Sequence, residues 1–143
     1  MPFRGHRRIV VDSCVWIYHL ESHTEWGQPA AAVLAAIEAG QCQGILSEVT
    51  LIELLVQPLR DGDDDTADEY ETLITRFPNM LVAPVNRRVA VRAAALRARH
   101  GLRTPDAIIL ATGIEAGATL AVTNDADWRR VDGIEVATLD EID

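Results

Sequence analysis

The 143 residues contain no lysine; all 13 basic side chains are arginine. Without lysine there is no P-loop phosphate clamp, no Schiff-base amine and no receiver-domain lysine, and the chemistries that depend on them are excluded. Cysteine is scarce too, with Cys14 and Cys42 only. Cys14 lies in an apolar run and Cys42 just before another, which favours buried free thiols over a metal site and fits a reducing cytosol. The four histidines, His6, His19, His23 and His100, lack zinc-ligand spacing and are expected at the surface. No apolar stretch approaches the roughly 18–20 residues needed to span a bilayer. The basic start, Met1 to Arg8, reaches Asp12 before any signal-type apolar region. The expectation is a soluble cytoplasmic protein with no membrane contact.

What is present is an ordinary globular balance, 48% hydrophobic and 24% charged. The length suits one domain, residues 1–143, with enough chain to bury a core. The net charge is −9, the wrong sign for a surface that neutralises phosphates.

Hydrophobic patterning predicts an alternation of strands and helices. Arg8 to Asp12 reads as a short buried strand, with Ile9, Val10 and Val11 consecutive and β-branched. Further strands are expected at Gly44 to Leu46, Leu81 to Val85, Thr119 to Thr123 and Ile134 to Ala137. Helices are expected at Cys14 to Leu20, Pro29 to Ala39, Ser47 to Leu59, Thr66 to Phe77, Arg87 to His100 and Thr104 to Ala116. In the Ser47 helix Val49, Ile52, Leu55 and Val56 make the apolar face. Thr104 reads as the N-cap of the last helix, with Pro105 at its first position. Asp61 to Asp65 reads as an acidic turn, and the run to Glu71 as a solvated, mobile segment. Such alternation implies an α/β fold with a mostly parallel sheet of four to five strands, helices on both faces and right-handed crossovers. In such sheets ligands bind beyond the carboxyl ends of the strands.

Two acids stand at those ends: Asp12 after the first strand, and Asp125 after the fourth. Asp106 opens the last helix, and Glu53 lies inside the Ser47 helix. Each has a local role available to it. Asp106 suits the helix dipole, Asn124–Asp125 is turn chemistry, Asp12 can cap a helix and Glu53 has capping-box spacing to Thr50. Together those roles explain less. Asp12 closes an apolar strand, where an unpaired carboxylate is costly. Glu53 sits between Ile52 and Leu54 with no basic partner evident. Clustered carboxylates repel unless a cation joins them, and an oxygen-only set suits Mg²⁺ or Mn²⁺.

Four blocks then resemble a known family. They are Val10-Val11-Asp12-Ser13, Ser47-Glu48-Val49-Thr50-Leu51-Ile52-Glu53-Leu54, Pro105-Asp106-Ala107-Ile108-Ile109-Leu110-Ala111-Thr112 and Val122-Thr123-Asn124-Asp125-Ala126-Asp127-Trp128. In order and spacing they are similar to those of the PIN domain, and in size the chain is similar to the VapC toxins of toxin–antitoxin pairs. The resemblance implies a PIN-like α/β/α sandwich and a Mg²⁺- or Mn²⁺-dependent endoribonuclease. It gives catalytic and metal-binding roles to Asp12, Glu53, Asp106 and Asp125, with supporting roles for the Thr123 and Ser13 hydroxyls. Asp127 can share or replace the role of Asp125. The resemblance also implies RNA as substrate, a homodimer, and a cognate antitoxin bound next to the active site.

The acidity and the lack of lysine depart from what RNA binding asks. Arg4, Arg7, Arg8, Arg87, Arg88, Arg92, Arg97, Arg99 and Arg103 could supply an RNA-facing patch, although a solvated face explains the Arg87 helix equally well. Two other readings stand beside the nuclease. An acidic metal-dependent phosphatase with an aspartyl nucleophile would want Asp-x-Asp after the first strand, but Cys14 holds the second position and the lysine is missing. A catalytically degenerate PIN domain acting as a binding module would have no need to keep four mutually repelling acids.

Overall fold

The computed structural model describes residues 3–142. Five short strands form one wholly parallel sheet in the order β3-β2-β1-β4-β5. They are β1 (Arg8–Val11), β2 (Gln43–Ser47), β3 (Met80–Ala83), β4 (Leu120–Thr123) and β5 (Glu135–Thr138). The helices are α1 (Ser13–Leu20), α2 (Gly27–Glu38), α3 (Glu48–Arg60), α4 (Asp64–Thr75), α5 (Arg87–His100) and α6 (Thr104–Glu115). Two 3₁₀ turns, Ala126–Arg130 and Leu139–Glu141, follow β4 and β5. No helix among the described residues is long and apolar enough to cross a membrane.

Strand side chains alternate between the faces, so consecutive apolar residues serve two cores. Ile9 and Val11 of β1, Leu46 of β2 and Leu120 and Val122 of β4 join α1, α2, Leu54 of α3 and Ile74 of α4 in one core. Val10, Ile45 and Ala121 point the other way, into a core with α5 and α6. The result is a three-layer α/β/α sandwich, as the alternation implied. The chain runs from β1 outward to β2 and β3, then crosses back to β4 on the opposite side of β1. The gap between the ends of β1 and β4 is therefore the topological switch point, where a crevice opens.

Several local expectations shift. Asp61 to Asp63 form the expected turn, but the helix starts earlier than expected: Asp63 caps α4 by accepting from the Thr66 backbone N–H and hydroxyl, and Asp64 and Asp65 fill the first turn, where the dipole favours them. β3 ends at Ala83 because Pro84 has no N–H for the ladder. The α3 face was expected at Val49, Ile52, Leu55 and Val56. The buried residues are instead Thr50, Leu54 and Pro58, spaced by one helical turn, while Ile52 is 68% exposed and Leu59 54%. Of the histidines only His19 is exposed. His6 is held between the Thr119 hydroxyl and the Glu135 carboxylate, and His23 accepts the Glu25 and Trp26 backbone N–H groups at the start of α2.

The α6 helix lies unusually close to β1. A Cβ added at Gly113 would meet Val10 Cβ at 2.5 Å. Glycine is normally a poor helix residue, and Gly→Ala at a tolerant helical site stabilises by about 1 kcal/mol. Here the sign should reverse: Gly113→Ala is expected to lower stability by about 1–3 kcal/mol through overpacking. Urea unfolding reads this directly, and a stabilised variant would contradict the close approach.

Candidate active site

The crevice at the switch point holds about 260 Å³ and is lined by Asp12, Glu53, Asp106 and Asp125, together with Ser13, Cys14, Asn124 and Arg103. Four different elements deliver the acids. Asp12 follows directly on β1 and is the N-cap of α1, its extended backbone turning the chain from strand to helix. Glu53 comes from the second turn of α3, Asp106 from the first turn of α6, and Asp125 from the turn after β4.

Asp12 is fixed at both oxygens. Oδ1 accepts the Ser13 backbone N–H at 2.7 Å, and Oδ2 accepts the Thr123 hydroxyl at 2.7 Å. Thr123 Oγ1 also accepts the Asp125 backbone N–H at 3.0 Å, so one hydroxyl ties the ends of β1 and β4 together. Beyond it the loop is pinned by Trp128, fully buried in the second core. Asp125 itself is exposed and accepts the Asp127 backbone N–H, capping the 3₁₀ turn. The Asp127 side chain is exposed and does not line the crevice.

Glu53 is held by a relay of hydroxyls. Ser13 Oγ donates to Glu53 Oε1 at 2.7 Å and lies 2.8 Å from Thr50 Oγ1. Ser13 has one hydroxyl proton, so when it goes to Glu53 the Thr50 hydroxyl must donate to Ser13. Ser13 and Thr50 are both buried. Thr50 explains the unexpected face of α3: it stands one turn before Glu53 and must point inward to serve it. Its spacing to Glu53 is visible in the sequence, but there it resembles a capping box.

Asp106 is nearly buried, and both its oxygens face Arg103, at 3.3 Å from Nε and 3.5 Å from Nη2. The N-cap of α6 is Arg103, not Thr104, and no side chain caps the helix end. Among the described residues no three potential ligands converge on one ion position as they stand. Cys14, expected to be buried, is half-buried and lines the crevice, its thiol 3.6 Å from Asp12 Oδ2. Burial, and then the Asp12 charge, push that thiol well above its usual range, so it is no nucleophile.

Burial is also the largest influence on Asp12, raising its pKa from 3.8 to about 6; the Thr123 hydroxyl opposes this, and the nearby Asp106 and Glu53 add to it. A carboxylate that resists ionisation among other carboxylates is a site short of positive charge. The donors are all hard oxygens, a set that fits Mg²⁺ or Mn²⁺ and not a thiolate- or imidazole-seeking metal.

Of the nine arginines expected to form an RNA-facing patch, four are engaged away from the crevice. Arg88 and Arg92 both bind Glu115, at the far end of α6 from the crevice. Arg97 donates to the Leu102 carbonyl and Arg8 to the Ala116 carbonyl.

The Asp12 shift has a consequence for stability. Its folded-state pKa lies above the unfolded value, so its contribution to stability is present below about pH 4 and is lost as pH rises through about 6. Asp12→Asn cannot ionise. It should flatten that part of the pH profile and make the metal-free protein more stable at pH 8 by about 1–2 kcal/mol. Urea unfolding in EDTA at acid and alkaline pH measures this; a variant weaker than wild type at pH 8 would mean that the hydrogen bonds to Asp12 outweigh its desolvation.

Comparison with known proteins agrees with this architecture. The family model of the PIN domain matches residues 9–134, a span that takes in all four acids. A chain of a toxin–antitoxin complex from Klebsiella pneumoniae matches with a TM-score of 0.68 at 24% identity, covering 94% of this chain and 99% of that one. VapBC2 from Rickettsia felis, bound to a DNA fragment from its promoter, gives 0.73 at 12% identity over 92% and 98%. VapC20 of Mycobacterium tuberculosis, described as a sarcin-ricin loop cleaving toxin, gives 0.70 at 20% over 90% and 98%. No curated protein matches. The structural likeness speaks for the fold; the sequence match from residue 9 to 134 goes further, and the chain belongs to the PIN domain family.

Proposed function

We propose that this protein is a divalent-cation-dependent endoribonuclease, the toxin of a toxin–antitoxin pair. The observation that carries the reading is the buried Asp12 carboxylate, held by two hydrogen bonds at the switch point beside Glu53 and Asp106. Asp12, Glu53 and Asp106 would hold the cation, with Asp125 as the outermost acid. Mg²⁺ or Mn²⁺, when bound, would supply positive charge that eases deprotonation of a water and offsets charge building on the phosphoryl group. Thr123 keeps the Asp12 carboxylate in one orientation, and the Ser13–Thr50 relay does the same for Glu53. Such partners matter because a ligand free to rotate loses affinity and alignment.

The partner side of the reading also has structural support. A groove of about 350 Å³ lies beside the crevice, shares Ile17 and Glu53 with it, and is walled by Leu20, Leu54, Val56 and Pro58. An antitoxin segment seated there would reach the acids. Several similar solved structures are toxin–antitoxin complexes. On α3, Ile52, Val56 and Leu59 form an exposed apolar stripe, a surface suited to a second copy of the chain in a homodimer. The protein would then act in the cytoplasm, where its RNA substrate is.

Cleavage of a mixed RNA should need Mn²⁺ or Mg²⁺ and stop with EDTA. Asp12→Asn and Asp106→Asn should reduce it by roughly 100-fold or more, and Thr123→Val by about 10–100-fold through loss of the orienting bond. Activity that persists in EDTA, or in Asp12→Asn, would remove the nuclease reading. Independently, light scattering should find a dimer that Ile52→Glu dissociates; a monomeric wild type at micromolar concentration would exclude the homodimer.

A further inference from the structure

Among the described residues lining the crevice, Arg103 is the only basic one. It is the last residue before α6, with an extended backbone, φ −66° and ψ 152°. Its side chain is 77% exposed and is tied down only through Asp106, whose side chain is 12% exposed. The guanidinium end of this pair stands in solvent, which screens it, so the pair adds less to stability than a buried one would. The contacts of 3.3 and 3.5 Å are also long for a charged pair, which when tight lies at about 2.7–2.9 Å. The fork rests on the carboxylate without being locked to it.

The charge balance of the protein gives this arginine a task. The net charge is −9, and Arg88 and Arg92 are engaged with Glu115 at the other end of α6. A phosphodiester entering the crevice meets four carboxylates and this single guanidinium. The planar fork matches phosphate oxygens in a bidentate way.

We infer that Arg103 is a substrate-binding residue held in reserve: its guanidinium occupies Asp106 in the metal-free crevice and passes to the RNA phosphate when a divalent cation takes Asp106. The inference rests on the nuclease reading above. One residue thereby does two things in turn. Before metal binds, it neutralises part of the acid cluster. Afterwards it is displaced a short distance, still tethered at the helix start, and supplies the one side-chain positive charge among the described residues lining the crevice. Metal and arginine compete for Asp106 but cooperate on the substrate.

The test compares wild type with Arg103→Gln and Arg103→Lys. Mn²⁺ affinity is read by the electron paramagnetic signal of free Mn²⁺, and binding of a short fluorescent phosphorothioate RNA is read against salt in Mn²⁺. Without RNA, Arg103→Gln should bind Mn²⁺ roughly threefold or more tighter, because a competing cation is gone. In Mn²⁺ it should bind the RNA about 10-fold more weakly, with the salt slope reduced by about 1. Arg103→Lys should restore the salt slope but only part of the affinity, because an ammonium keeps the charge and loses the bidentate fork. If Arg103→Gln binds Mn²⁺ like wild type, or more weakly, the competition is overturned. Tighter Mn²⁺ binding with unchanged RNA affinity and salt slope overturns the substrate role. A wild type that binds no Mn²⁺ is a different result, since it removes the nuclease reading itself.

Discussion

The hydrogen bond from Thr123 to Asp12 joins the ends of the two strands between which the crevice opens. Its geometry is set by the register of β1 on β4, in which Val11 lies opposite Val122. Its neighbours depend on it in turn. The same Thr123 oxygen receives the Asp125 backbone, and the same Asp12 carboxylate turns the chain into α1, where Ser13 begins the relay to Thr50 and Glu53. The fold holds one part-buried carboxylate at a fixed point and gives it uncharged donors, the Ser13 backbone N–H and the Thr123 hydroxyl. Such donors orient a carboxylate without neutralising it, and on the proposed reading that charge is left for a cation.

That arrangement also bears on how an acidic protein could handle RNA. Four of the arginines expected to form a patch are engaged with Glu115 or with backbone carbonyls, and Arg103 alone among the described basic residues lines the crevice. On the proposed reading, attraction for a phosphate would be concentrated at the crevice, in a cation held by the acids and in Arg103. A small contact of this kind fits a chain of net charge −9 better than a broad basic face would.

Much of the architecture is legible in the sequence because it is written in long-wavelength signals. Consecutive β-branched residues, Pro–Gly brackets around helices and the strand–helix alternation all point to a parallel sheet and to its carboxyl ends. What escapes is decided by contacts between elements. The apolar periodicity of α3 is real, but amphipathicity does not say which apolar stripe the chain covers itself: Ile52 and Leu59 stay outside while Thr50 goes in. Gly113 reads as a mild defect in a helix and turns out to be the point where α6 meets Val10. Arg103 reads as one of a scattered set of charges, since nothing local says that the start of α6 faces three acids from elsewhere in the chain. The four acids and the Thr123 and Ser13 hydroxyls are named by their blocks; Thr50 is not, because a threonine three residues before a glutamate looks like an ordinary capping box.

The proposed cation site has Asp12, whose pKa desolvation raises to about 6, as its anchor. The most direct test is the number of protons released when Mn²⁺ binds, measured by calorimetry in buffers of different ionisation enthalpy. With Asp12 titrating at about 6, binding near pH 6 should release about half a proton, and binding near pH 8 almost none. Mn²⁺ binding at pH 6 without proton release would contradict the account, because the cation would then be held by groups already ionised and Asp12 would not be its anchor.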